Sequence, residues 1–66
     1  MKSTFKTVEV FGTPICVEIR ANGYRTAYLG GGYLTLAPEG RCAGTNLNDD
    51  SGLYRQLNSA INLASN

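Results

Sequence analysis

Residues 15–29 read Ile15-Cys16-Val17-Glu18-Ile19-Arg20-Ala21-Asn22-Gly23-Tyr24-Arg25-Thr26-Ala27-Tyr28-Leu29. Ile15, Val17 and Ile19 alternate with Cys16, Glu18 and Arg20. This period of two specifies a half-buried strand over 15–21. Asn22-Gly23 is the strongest short hairpin signal a sequence can carry. Tyr24 to Leu29 then supplies the returning strand, so the stretch commits the chain to antiparallel sheet.

The turn leaves two registers open. A two-residue Asn22-Gly23 turn pairs Ile19 with Thr26 and Val17 with Tyr28. Cross-strand partners share a face, so Tyr24 and Tyr28 would then lie on the core side. Arg20, Arg25, Ala27, Leu29 and Tyr33 would form the open face. A three-residue turn with a bulge at Gly23 shifts the pairing by one and flips the third strand. Ala27 and Leu29 would then be buried, and Tyr24 and Tyr28 exposed. The Asn-Gly pair favours the tighter turn.

Upstream, Thr4 to Phe11 reads as a strand, with Val8 and Val10 alternating with Thr7 and Glu9. Gly12-Thr13-Pro14 reads as the turn that ends it. Downstream, Gly30-Gly31-Gly32 is a turn with positive φ angles, and Tyr33 to Ala37 is a fourth strand. Pro38-Glu39-Gly40 makes a further turn, and residues 41–48 read as irregular, with room for a short edge strand. The period then changes. Leu53, Leu57, Ala60, Ile61 and Ala64 fall on one face of a helix over about 51–64. Asp49, Asp50 and Ser51 stand ready to cap its first turn. The expected fold is one α+β domain over 1–66, an antiparallel meander of about four strands (4–11, 15–21, 24–29, 33–37) with one C-terminal helix packed on one face. Its core would be Val8, Val10, Ile15, Val17, Ile19, Leu34, Leu36 and the apolar helix face.

Composition narrows the function. The chain has 66 residues, and a domain this short buries only about 60% of the surface its unfolded chain exposes. Few residues can be spared from folding, which favours a working surface over an elaborate cavity. Six basic and five acidic side chains leave a net charge of +1, without the basic surplus that phosphate binding normally uses. Two cysteines, Cys16 and Cys42, fall short of a disulfide framework. No apolar run follows Lys2, and no stretch approaches the roughly 20 residues that span a bilayer. The expectation is a cytoplasmic protein with reduced thiols, a single disulfide being the alternative, and no membrane association.

The catalytic inventory is thin. There is no histidine, which removes Ser-His and Cys-His pairs and histidine metal ligands. Cys16 in mid-strand and Cys42 in a loop have no evident activator, and two cysteines make a poor zinc site. The reading is of no catalytic residue, no metal and no cofactor. The helix carries neutral amides and hydroxyls, Gln56, Asn58, Ser59, Asn62 and Ser65, with Arg55 as its only charge. Arginine beside tyrosine is the composition of binding hot spots. Arg20, Arg25 and Tyr33 are therefore the expected anchors for a partner, with Tyr24 and Tyr28 joining them in the shifted register.

The run from Val17 to Ala27 resembles the hairpin of the three-stranded, helix-backed DNA-binding domains of phage integrases, which read the major groove with the sheet. That resemblance covers one hairpin and implies nucleic-acid binding through Arg20, Arg25 and Tyr33. In size and style the whole chain is similar to small phage and mobile-element accessory proteins, among them anti-CRISPR proteins and other inhibitors of bacterial defence. That likeness implies a non-enzymatic inhibitor or adaptor that occludes a functional surface of a larger host protein or nucleoprotein complex. Direct nucleic-acid binding is the alternative.

Overall fold

The computed structural model describes residues 3–65. Five strands form one antiparallel sheet in chain order, β1 (Thr4–Val10), β2 (Thr13–Ile19), β3 (Arg25–Leu29), β4 (Gly32–Leu36) and β5 (Cys42–Thr45). The helix α1 (Gly52–Ala64) lies across one face and touches β1 to β4. The α+β meander with its C-terminal helix is thus the architecture expected from the periodicities. The fifth strand occupies part of 41–48, and it is short and bulged opposite Thr35 and Leu36.

Each hairpin shows how its loop was chosen. β1 and β2 meet at Val10 and Thr13, so the turn is Phe11-Gly12, not Gly12-Thr13-Pro14. Both turn residues have positive φ, 53° for Phe11 and 77° for Gly12, as a two-residue mirror-image turn requires. Pro14 is consequently inside β2. It sits in a pair whose amide side faces away from β1, where the missing donor breaks no bond of that ladder. A phenylalanine in the left-handed region carries a steric cost of about 1–2 kcal/mol. Phe11→Asn, the residue type that tolerates this turn, is expected to raise the unfolding free energy by about 1 kcal/mol. Urea denaturation checks it. An unchanged midpoint would mean that the turn adapts without strain.

The β2–β3 connection takes the three-residue form, contrary to the tighter turn that Asn22-Gly23 favours. Val17 pairs with Ala27 and Ile19 with Arg25. The Gly23 amide donates to the Arg20 carbonyl at 2.9 Å, and the Arg20 amide to the Tyr24 carbonyl at 2.8 Å. Gly23 has φ of 93° while Asn22 stays out of that region, which is a turn followed by a glycine bulge. The physical reason lies one hairpin further on. Gly30 and Gly31 (φ 57° and 94°) make a two-residue turn that pairs Leu29 with Gly32 and Ala27 with Leu34. Leu34 and Leu36 can share the helix side with Val17 and Ile19 only if β3 turns Ala27 and Leu29 to that side. With an even turn after β3, the turn before it must be odd.

Gly32 therefore belongs to β4 and not to the turn. It is buried, and a Cβ there would come within 3.0 Å of Leu53 and 3.1 Å of Leu47. The buried core comprises Val10, Ile15, Val17, Ala27, Leu34, Leu36, Ala37, Leu57, Ala60, Ile61 and Ala64. Val8, Ile19, Leu29, Leu47, Leu53 and Tyr54 pack around its rim. Ser51 caps the helix by accepting from the Tyr54 amide at 3.1 Å. Asp49 and Asp50 precede the cap, and the first turn holds no acid. At the other end the helix has no basic residue in its last turn. The sheet supplies the cations: Lys6 donates to the Ala64 carbonyl at 3.1 Å, and Arg25 to the Ser65 hydroxyl at 2.8 Å. Positive charge there complements the helix dipole.

Candidate functional site

One helix covers one side of the sheet, and the pairing registers fix what lies on the other. Two rows of side chains cross the open face. Thr7, Cys16, Tyr28 and Tyr33 form one, and Phe5, Glu18, Thr26, Thr35 and Gly44 the other. Glu9 and Pro14 begin a third. Tyr28 and Tyr33 are directly opposite each other, in the closely spaced kind of antiparallel pair. They remain 44% and 37% exposed, and Phe5 63%. Three aromatic rings thus stand on a rigid, uncovered sheet.

Hydrogen bonds hold this surface in place. The Tyr28 hydroxyl donates to Glu18 Oε1 at 3.2 Å, and Arg20 Nε lies 3.9 Å from Glu18 Oε2. The Thr26 and Thr35 hydroxyls bond each other at 2.9 Å. Thr26 is only 2% exposed although it lies on the uncovered side. Its neighbours in the row and along the strand, Glu18, Thr35 and Tyr28, are large enough to shield it. Tyr33 is fixed through its backbone. Its amide donates to the Asn46 side chain at 3.0 Å, and its carbonyl accepts from the Thr45 hydroxyl at 2.7 Å.

The structure sets Tyr28 beside Tyr33 and links Tyr28 to Arg20 through Glu18. Arg25 is elsewhere. It lies on the helix side opposite Ile19 and Leu36, with its guanidinium bonded to the Ser65 hydroxyl and, at 2.8 Å, to the Ala37 carbonyl. The flipped third strand carries it there, so its work is to tie the helix end to the sheet. Tyr24 is half-buried at the bulged turn, beside Asn22, whose side-chain oxygen accepts its amide at 3.2 Å. On the helix, Gln56 is engaged with the Val10 carbonyl at 3.1 Å and the exposed Ser65 hydroxyl with Arg25 and the Ile61 carbonyl, while Ser59 and Asn62 are exposed. Sequence reasoning missed Phe5, although its alternation with Val8 and Val10 already placed it away from the core. It also missed the threonine pair, whose partnership depends on the β3–β4 register.

The electrostatics of the face are nearly neutral. Glu9, Glu18 and Arg20 share it, while Lys6 and Arg25 are on the helix side and Arg41 pairs with Glu39 at 3.0 Å in the β4–β5 turn. Hydrogen bonds from the backbone and Arg41 hold the Glu39 carboxyl below its ordinary range. Away from the face, burial first, and then Cys42 and Asp49, push the Tyr54 hydroxyl above its ordinary value. Cys16 and Cys42 are exposed free thiols. Among the described residues there is no pocket and no cluster of three potential metal-ligating side chains. No helix among the described residues is long and apolar enough to cross a membrane. Comparison with protein-family models, with curated proteins and with solved structures gives no match.

Proposed function

We propose that this chain is a small non-enzymatic binding protein whose open sheet face covers a functional surface of a larger bacterial protein or nucleoprotein complex. It would act as an inhibitor or adaptor of the kind that phages and mobile elements direct against host defence, working in the host cytoplasm. The observation that carries this reading is the exposed Tyr28–Tyr33 pair, with Phe5 and Arg20 on the same face of a hydrogen-bonded sheet. Rigid aromatics beside arginine offer large contact area at low ordering cost. The direct nucleic-acid reading has less support, because the flipped β3 withdraws Arg25 and leaves two carboxylates against one arginine on this face.

Capture from bacterial lysate on the immobilised protein, read by mass spectrometry, tests the proposal. Tyr33→Ala and Tyr28→Ala are each expected to weaken capture by about 2 kcal/mol, or about thirtyfold. Their stability should fall by no more than about 1 kcal/mol, the worth of the cross-strand contacts each ring makes. Binding through this face should weaken only slightly as salt rises, whereas phosphate-driven binding falls steeply. Normal capture by both tyrosine variants would remove the face from consideration. A steep salt slope with retained nucleic acid would favour the alternative.

A further inference from the structure

Both phenylalanines of this chain are on the surface, although its core is built largely from valine, alanine and leucine. Phe5 is on β1, and Phe11, 87% exposed and at positive φ, is at the tip of the β1–β2 hairpin. A short domain that leaves its two most apolar aromatics outside, one of them on strained backbone, points to a use for that flank.

β1 is an edge strand of seven residues. The two-residue turn makes Val10 and Thr13 a hydrogen-bonded pair. By alternation the backbone groups of Thr4, Lys6, Val8 and Val10 face β2, while those of Phe5, Thr7 and Glu9 face outward. No described strand pairs with that outer side. The opposite edge is treated differently. β5 has four residues and a register shift. Beside it, the Asn46 side chain engages the Tyr33 amide and, at 2.9 Å, the Gly31 carbonyl. Short, bulged edges resist pairing, whereas a long regular edge invites it.

We propose that the outer edge of β1 accepts an extended segment of a partner protein as an additional antiparallel strand, with a basic side chain opposite Glu9 and an apolar one opposite Phe5. This rests on the binding-protein reading above and extends its face by one strand. The charge pattern selects the occupant. Among the described residues Glu9 has no ion pair, while Glu18 and Glu39 each have one. A second copy of this chain fits poorly. A twofold axis at Thr7 sets Phe5 against Glu9 twice, and an axis at Lys6 sets like charges against each other, which is destabilising. An axis at Val8 pairs only residues 6–10 and sets Phe5 opposite Phe11, whose φ of 53° takes it out of the strand. A foreign strand with a basic residue four positions before an apolar one meets both side chains, and backbone bonds at Phe5, Thr7 and Glu9 supply the affinity.

The probe is a capped seven-residue peptide of threonine and valine, with lysine at its second position and phenylalanine at its sixth. Its binding to the isotope-labelled full chain is followed by amide shifts and hydrogen exchange. The expected result is saturable binding that slows exchange at Phe5, Thr7 and Glu9 by about tenfold or more, since outward amides become bonded. Exchanging the peptide's lysine for glutamate should weaken binding about threefold to tenfold, and Glu9→Lys should reverse that preference. Thr7→Pro deletes one outward amide without touching the β2 ladder and should abolish binding. Equal binding of both peptides, protection elsewhere, or protection of the same amides on raising protein concentration without peptide would overturn the proposal. Lysate capture keeps the two readings apart. A partner lost by Tyr33→Ala but kept by Thr7→Pro would sink the edge alone, while capture unaffected by the tyrosine variants would sink the open face whatever the peptide does.

Discussion

Leu57→Ala is expected to lower stability by about 3 kcal/mol, within the range of about 2–5 kcal/mol for a buried leucine. Leu57 is fully buried at the centre of the apolar stripe of α1. The truncation removes apolar contact and leaves a cavity. The core cluster around it includes three alanines (Ala27, Ala60 and Ala64), whose short side chains cannot swing in to fill the space. A chain of 66 residues has a total folding free energy of roughly 3–10 kcal/mol at typical per-residue values. The variant should therefore unfold at much lower urea, or fail to fold at ambient temperature. Leu57→Met, which nearly conserves volume, should cost less than about 1.5 kcal/mol. A wild-type midpoint for the alanine variant would show that the helix does not pack on this sheet.

Gly23→Ala is expected to cost about 3 kcal/mol, from two separate penalties. The φ of 93° is unfavourable for any residue with a Cβ, by about 1–2 kcal/mol. The new methyl would also lie 2.9 Å from Pro38 Cγ and 3.0 Å from Pro38 Cβ. A proline ring cannot rotate away, so the overlap adds about 1–3 kcal/mol. Gly12→Ala isolates the first penalty. Its φ is 77° and no atom lies within 4 Å of the added Cβ, so it should cost about 1 kcal/mol. Denaturant midpoints of the two variants test the difference. Equal losses would mean that the bulge is not packed against Pro38.

The tyrosines show what kind of information was missing from the sequence. Each strand's own alternation was legible. Ile15, Val17 and Ile19 declare one face of β2, and Leu34 and Leu36 declare one face of β4. β3 carries no such mark, because Arg25, Ala27 and Leu29 make no cleaner apolar stripe than Tyr24, Thr26 and Tyr28. Local preference at Asn22-Gly23 chose the tighter turn. The sheet chose otherwise, because the parities of two successive loops must together put three strands' apolar residues under one helix. That choice also moved Arg25 from the expected binding face to the helix end, where the last carbonyls of α1 had no cation of their own.

The sequence by itself determined the element types. Period-two alternation, the glycine-rich turns and the switch to helical spacing at Leu53 are local patterns, and local patterns survive without knowledge of the rest of the chain. It determined equally that a single helix must leave one side of the sheet open. Only the tertiary structure decided which residues stand on that side: Tyr28, Tyr33, Phe5 and Arg20, with Thr26 and Thr35 bonded between them. It also decided that Phe11 holds a positive φ and that β1 keeps an outward-facing edge. The reason is that face and register are properties of pairs. A one-residue shift in a turn reverses every side chain of the strand that follows, and the helix that makes one choice favourable lies more than twenty residues further along the chain.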